Sequence, residues 1–339
     1  MSLKQSLLAW MRGGNGCFEE LALAVFAYQF EKNPPYRRYC EALGRVPEKV
    51  ASWLEIPAVP TDVFKLEGVG LRCFGQEEIA GYFLTSGTTR EVKGRHEYAG
   101  LEMVEAAVLG GWRERGLPEV NRPWFFSQRV EAARHSSLVR MFATLARGTE
   151  AEWLIDGQGR MDVERFMRRE DQGAVEVFGT SLGLLRACEL MERAALPEGS
   201  WIFETGGSKG LRESLTAEEV REKLSASFGV PAGRILNEYG MTELSSQFYR
   251  WGNEETHKGP PWVGVRVVNV ETGELAKSGE LGYLEIVDLA NLETVLAVRT
   301  QDLAVAVGER EFVLVGRDPG AVNRGCSRGV EEVLAAGDR

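Results

Sequence analysis

Histidine and cysteine are scarce in this chain of 339 residues: His96, His135 and His257, and Cys17, Cys40, Cys73, Cys188 and Cys326. No histidine stands three to five residues from another, so the paired ligands of a dedicated metal site are missing. No C-x-x-C spacing occurs, which removes the case for a structural zinc site or a disulfide framework and leaves thiols expected to be reduced. Long apolar runs are lacking too. No window approaches the roughly 20 residues of a membrane span, and residues 1–16 carry neither the apolar stretch nor the cleavage site of a signal peptide. Positive charge is in deficit, with 40 Lys plus Arg against 50 Asp plus Glu and a net charge of −10. Such a field repels polyanions, so nucleic acid is not an expected partner. A cytoplasmic protein with no membrane span is expected.

Apolar residues make up 44% of the chain, enough for a core, and the length suggests about two domains. Glycine is plentiful at 39 residues, against the roughly 7% of average usage, which predicts many tight turns or backbones facing a substrate. Phe18 to Phe30 and Tyr36 to Leu43 have helical spacing, split by Asn33-Pro34-Pro35, and Ile56 to Pro60 predicts a bend. From residue 80 onward, short apolar runs alternate with helical stretches. Ala174 to Phe178 and Trp201 to Glu204 read as strands, Leu182 to Ala195 and Ala217 to Phe228 as helices. Thr216 with Glu219 is a capping-box pair at the last of these. The alternation predicts a largely parallel sheet with flanking helices. After Trp262 the runs Val263 to Val270, Gly282 to Leu289, Val295 to Val298 and Phe312 to Val315 predict an antiparallel β subdomain. The boundaries expected are a helical leader 1–79, an α/β core 80–261, a β-rich subdomain 262–316 and a tail 317–339. That tail reads as a mobile loop followed by a short helix from Val330.

Three segments could carry chemistry. Thr85-Ser86-Gly87-Thr88-Thr89-Arg90 follows an apolar strand and offers hydroxyls and backbone N–H groups suited to phosphate oxygens, without the P-loop pattern. Tyr239-Gly240-Met241-Thr242-Glu243 follows another, with a stacking ring, a close-approach glycine, a hydroxyl and a hard oxygen ligand for Mg²⁺. Arg299-Thr300-Gln301-Asp302 and Gly316-Arg317 offer an acid and a guanidinium that could reach ribose or phosphate. Each alone is more commonly a polar turn or a charged strand end; their order and spacing raise the signal.

Taken together they resemble the adenylate-forming superfamily. More closely, the chain resembles the bacterial acyl-protein synthetase family, the LuxE-type fatty acid to luciferin-component ligases. Further matches are Tyr28-Gln29, Ile56-Pro57-Ala58-Val59-Pro60 with Phe64-Lys65, Ser136-Ser137-Leu138, Gly206-Gly207 and Arg324-Gly325-Cys326. The resemblance implies an adenylate-forming α/β fold that lacks the large C-terminal domain of acyl-CoA ligases, ATP and Mg²⁺ as cofactors, and a fatty or aryl carboxylic acid as substrate. It implies that Thr85, Ser86, Gly87, Thr88 and Thr89 hold phosphates, that Tyr239 and Gly240 meet adenine, and that Thr242 and Glu243 serve the α-phosphate and the metal. Asp302 would hold ribose with Arg317 at the hinge, Gly206 and Gly207 would line the adenine and acyl channel, and Phe178 and Gly179 would shape the acyl pocket. Cys326, between Arg324 and Arg328, would accept the acyl group as a thioester for a partner acyl reductase or another acceptor protein. The other four cysteines are expected in the core.

The sequence departs from the superfamily in continuing Thr89-Arg90 where glycine is usual, and no lysine follows Lys277 to act as an adenylation lysine. Other readings are an activating ligase that releases acyl-AMP to a small acceptor, or a nucleotide-binding homologue without turnover. Gly179-Thr180-Ser181-Leu182-Gly183 also matches the G-x-S-x-G elbow of a hydrolase, for which His257 is the only histidine downstream of Ser181. His96, after the first segment, could contact substrate or be a solvated loop residue.

Overall fold

The computed structural model describes residues 1–66, 68–85, 92–169, 173–206, 215–318 and 333. Its helices are α1 (Leu3–Met11), α2 (Phe18–Lys32), α3 (Pro34–Ala42), α4 (Glu102–Glu114), α5 (Ser137–Leu145), α6 (Val163–Met167), α7 (Ser181–Leu190) and α8 (Ala217–Phe228). Its strands are β1 (Val59–Pro60), β2 (Gly81–Leu84), β3 (Arg95–Tyr98), β4 (Pro123–Phe126), β5 (Glu152–Trp153), β6 (Glu176–Thr180), β7 (Trp201–Thr205), β8 (Ile235–Tyr239), β9 (Phe248–Trp251), β10 (His257–Lys258), β11 (Val263–Val268), β12 (Leu281–Asp288), β13 (Ala297–Gly308) and β14 (Glu311–Arg317). The chain divides into two compact units: residues 1–115, 241–246 and 258–339, and residues 116–240 and 247–257. Among the described residues no helix is long and apolar enough to cross a membrane.

In the second unit β8, β7, β6, β4 and β5 run parallel in that order, and β9 adds antiparallel to β8. Alternation along the strands sends Trp124, Phe126, Val177 and Ile202 into one buried cluster with Leu184 of α7 and Leu224 and Phe228 of α8. The other face stacks Phe178 on Phe203 at 5.1 Å, with Phe125 4.9 Å and Phe142 5.6 Å from Phe178. The capping box of α8 forms as its sequence predicts, with Glu219 N–H donating to Thr216 Oγ1 at 3.2 Å and Thr216 N–H to Glu219 Oε2 at 2.7 Å. Helix α7 stops at Leu190, five residues short of expectation. Met191 is extended, and the N–H groups of Ala194 and Leu196 then donate to Ser227 and Phe228 carbonyls, so the chain follows the end of α8 instead.

In the first unit β11, β12, β13 and β14 form an antiparallel sheet, β1 pairs parallel to β13, and β2 and β3 form a separate antiparallel pair. The prolines that divide the leader begin α3 rather than interrupting it: Asn33 caps it through Tyr36 N–H at 3.2 Å, where Pro34 and Pro35 give up no hydrogen bond. Two leader side chains reach far along the sequence. Gln29 donates to the carbonyls of Asn291 (2.8 Å) and Leu292 (3.1 Å) and accepts from Leu296 N–H, and Asn33 donates to the Thr294 carbonyl. Both amides are fully buried, so these bonds clamp residues 291–296 in one shape.

Candidate active site

Thr85 ends β2 and closes the neck of the hydroxyl-rich segment. Its N–H donates to the Gly94 carbonyl at 2.9 Å and its Oγ1 accepts from Gly94 N–H at 2.8 Å. A Cβ on Gly94 would lie 2.9 Å from Thr85 Cγ2 and 3.4 Å from Phe64 Cβ, so only glycine allows this closure. Ser86, Gly87, Thr88 and Thr89, with Arg90, lie outside the described residues, as do Gly207 and Cys326.

In the same unit the Thr242 carbonyl accepts from His96 Nδ1 at 2.7 Å, and Thr242 Oγ1 donates to the Leu84 carbonyl at 3.4 Å. A carbonyl can only accept, so Nδ1 carries the proton and Nε2 faces Thr294 Oγ1, 3.2 Å away, as acceptor. His96 is therefore a buried strand residue rather than a solvated loop one, and burial pushes its pKa down, keeping the ring neutral. The next residue, Glu243, is 7% exposed and gives its backbone carbonyl to Asn291 Nδ2 at 2.8 Å. Burial pushes its carboxyl up to about 7; Lys65 and Arg317 pull it down and Asp62 adds to the rise. Asp288 anchors the following turn by accepting Ser245 N–H, Ser246 N–H and Ser246 Oγ at 2.8–2.9 Å.

Asp302, expected at a strand end, sits inside β13, opposite Arg317 of β14. The polar run Thr300-Gln301-Asp302 reads as the end of a strand, yet Leu303, Val305 and Val307 resume the alternation. Arg317 donates to Gln301 Oε1 (3.2 Å from Nε), Gln301 Nε2 donates to Asp62 Oδ2 at 2.7 Å, and Asp62 Oδ1 holds Lys65 Nζ at 2.7 Å. Thr85, Thr242, Glu243, Asp302 and Arg317 thus all belong to one unit, joined there by Lys65, Asp62, Gln301 and His96.

Tyr239, Gly240 and Gly206 belong to the other unit. Tyr239 ends β8 with its ring 6.3 Å from Phe248 and 6.0 Å from His257, both edge-on. Gly206 takes φ +84°, with nothing within 4 Å of a Cβ, so backbone conformation rather than crowding favours glycine there. Beside them runs a buried polar chain. Ser181 Oγ meets Glu204 Oε1, Asn237 Nδ2 meets Glu204 Oε2, and Asn237 Oδ1 takes His257 Nε2 at 2.6 Å. Burial, with Arg250 nearby, pushes His257 down to about 3, so the ring is neutral. This arrangement overturns the hydrolase reading: Ser181 is 1% exposed and bonded to a carboxylate, and His257 spends Nε2 on Asn237, so no serine–histidine pair forms. Phe178 and Gly179 serve packing. Phe178 is fully buried in the aromatic layer, and a Cβ on Gly179 would meet Leu184 Cγ at 2.8 Å.

Of the four cysteines described, Cys40 is buried and Cys73 and Cys188 half-buried, but Cys17 is exposed at the start of α2, against the expectation of core packing.

No protein-family profile matches the chain. It is 15% identical to 2-hydroxyisobutyryl-CoA ligase, solved with 2-HIB-AMP and CoA, at a TM-score of 0.64 over 88% of this chain and 69% of that one. ATP-bound MatB from Rhodopseudomonas palustris superposes at 0.51 with 16% identity over 72% of this chain, and the chain spans about half the length of that protein (49%). The fold is that of the adenylate-forming enzymes. Among curated proteins, the long-chain-fatty-acid–luciferin-component ligase of Vibrio harveyi is 24% identical over 327 residues, 92% of this chain and 84% of the relative. Its namesake from Aliivibrio fischeri is 23% identical over 86% of this chain and 80% of its own length. The likeness to LuxE-type ligases that the motifs carry thus extends through nearly the whole chain. Asn291 and Asp288 are residues that sequence reasoning missed, and His96 reads in the sequence only as a substrate contact or a loop residue. They act through backbone groups, which leave no motif; Gln29 alone stands out in the sequence, as part of a matched dipeptide.

Proposed function

We propose that this protein uses ATP to activate a carboxylic acid, of the fatty or aryl class, as an acyl adenylate, and then passes the acyl group to Cys326 as a thioester for a partner acyl reductase or other acceptor. What carries this reading is the join of two facts: the extended likeness to luciferin-component ligases, and a Thr242-Glu243 pair whose backbone is fixed on both residues by buried side chains. In the first step a carboxylate oxygen attacks the α-phosphorus, the bond from that phosphorus to the bridging oxygen breaks, and pyrophosphate departs with the electron pair. No proton moves, so the protein's task is positioning and charge neutralisation. On this reading Thr242 serves the α-phosphate, Tyr239 and Gly240 meet adenine, Asp302 and Arg317 serve ribose and the hinge, and Gly206 and Gly207 line the adenine and acyl channel.

Mg²⁺ suits Glu243. A buried carboxylate whose pKa is pushed up to about 7 gains its charged form from a nearby cation. Among the described residues no group of three His, Cys, Asp or Glu could hold a metal ion, and the other ligands would be ATP phosphate oxygens. When bound, the ion would withdraw charge from those oxygens. In the second step the Cys326 thiolate attacks the acyl carbonyl carbon and AMP leaves with the electrons of the broken acyl–oxygen bond.

Exchange of labelled pyrophosphate into ATP, over a panel of fatty and aryl acids, tests the first step; absence of exchange with every acid would sink it. A hydroxylamine-labile adduct on the Cys326 peptide, found by mass spectrometry, tests the second. Adenylation without any adduct would replace it with release of acyl-AMP to a small acceptor.

A further inference from the structure

We infer that Lys65 is a catalytic residue of the adenylation step, its ammonium neutralising the charge that gathers on pyrophosphate as it departs. This rests on the adenylation reading above. Lys65 ends the short helical turn Thr61–Lys65, which packs against β3 and β13. Those two strands carry, respectively, the return from the hydroxyl-rich segment and Asp302. Its neighbour Phe64 is buried, with its ring 5.8 Å from the His96 ring, and its Cβ flanks Gly94 at the neck of that segment. The packing of Phe64 thus sets the turn that carries Lys65 against the neck of the hydroxyl-rich segment.

The ammonium is held by Asp62 Oδ1 at 2.7 Å, yet the side chain keeps 37% of its exposure. An exposed ion pair three residues apart adds little to stability, a weak reason for the remainder of the arrangement. That arrangement is specific: Asp62 is oriented in turn by Gln301, and Gln301 by Arg317. Lys65 and Arg317 are also cations whose charge reaches the buried Glu243 carboxyl. A compact, strongly hydrated point charge on a flexible stem suits spherical phosphate charge better than planar recognition. As the α-phosphorus–oxygen bond breaks, its electron pair passes to the leaving pyrophosphate, and a cation in contact there stabilises the transition state more than bound ATP.

The experiment compares wild type with Lys65→Met, Lys65→Arg and, as a surface control, Lys32→Ala. Three quantities are read: pyrophosphate exchange with the preferred acid, affinity for α,β-methylene-ATP by calorimetry, and thermal unfolding. Expected is a fall in kcat of about 100-fold for Lys65→Met, with KM for ATP and analogue affinity moving by less than about tenfold and an unchanged melting temperature. Lys65→Arg should recover part of the rate, and Lys32→Ala should match wild type. Exchange by Lys65→Met within twofold of an active wild type would overturn the inference, leaving Lys65 a structural ion pair. A rise in KM with kcat intact would overturn it as well, since the contact would then serve ground-state binding. If wild type exchanges with no acid, the adenylation reading itself falls and takes this step with it. A Lys65→Met chain that melts early is replaced by Lys65→Gln, judged by the same three readings.

Discussion

His96 Nδ1 lies 2.7 Å from the carbonyl oxygen of Thr242, and this one bond ties strand β3 to the Thr-Glu pair. The ring is a positioning residue: it touches backbone, not the reacting atoms. An asparagine in its place could set an amide donor near the Nδ1 position, a glutamine near Nε2, and a phenylalanine neither. His96→Phe should therefore lower kcat for pyrophosphate exchange by about 10- to 100-fold while KM for the acid stays within a factor of about three. His96→Asn should recover most of that loss and His96→Gln little. Equal rates for the Asn and Gln variants would show that the Nδ1 contact is not what matters.

The Arg266 guanidinium is 6% exposed and bonded to Glu285, itself 2% exposed, and to the carbonyls of Trp53, Leu54 and Ile56; Glu285 also takes Arg299 Nε at 2.5 Å. Removing Arg266 leaves the buried Glu285 charge compensated only by the half-exposed Arg299. Arg266→Ala should cost about 3–5 kcal/mol in urea unfolding, because Glu285 loses one of its two cations and three carbonyls each lose a donor. Arg299→Ala should cost far less, since that side chain is 39% exposed and water can take its place. Equal losses would mean that the pair with Arg299 carries the stability.

How much of this could be read in the residues follows from what each element depends on. Helix α8 was legible because its capping box and its Gly229 stop are local, and strands β6 and β7 because parallel strands buried on both faces appear as unbroken apolar runs. The end of α7 was not, since it is set by bonds to the end of α8 rather than by any breaker at Met191. Strand β13 was hidden by Thr300-Gln301-Asp302, whose polarity reads as a turn although the run lies inside the strand. The motif residues Thr242, Glu243 and Asp302 stand out by order and spacing. The side chains that hold Thr242, Glu243 and the turn after them, His96, Asn291 and Asp288, bind mainly backbone groups from distant segments, and no one-dimensional pattern marks such a bond.

Glu238 faces Thr205 in the buried polar layer of the second unit, and burial, with the nearby Glu204 charge, pushes its carboxyl up to about 7. The folded chain then holds a proton that an unfolded chain, with an ordinary carboxyl near 4.5, has lost. Stability from this group is fully present below about pH 4.5 and is lost as pH rises through 7. Replacing it by the neutral isostere Glu238→Gln removes that slope. The variant should gain on wild type as pH rises from 4.5 to 8, by on the order of 3 kcal/mol in urea unfolding. A stability difference that stays flat over this range would show that Glu238 is ionised when folded.

The four described cysteines set the background against which acylation of Cys326 has to be measured. Burial pushes the thiols of Cys40 and Cys73 up to about 12 and also raises that of Cys188. A thiol with so high a pKa presents almost no thiolate at neutral pH, and thiolate is the form that reacts. Cys17 is exposed and should label readily. In the native protein at pH 7.5, a maleimide should therefore modify Cys17 within minutes and spare Cys40, Cys73 and Cys188 until denaturant is added, as peptide mass spectrometry would read. Prior incubation with ATP, Mg²⁺ and a substrate acid should protect Cys326 from the same reagent while leaving Cys17 fully reactive. Hydroxylamine, which cleaves thioesters, should then restore labelling at Cys326. Protection at Cys17 instead would move the acyl acceptor to the start of α2, and equal labelling of Cys326 with and without the acid would remove the thioester step.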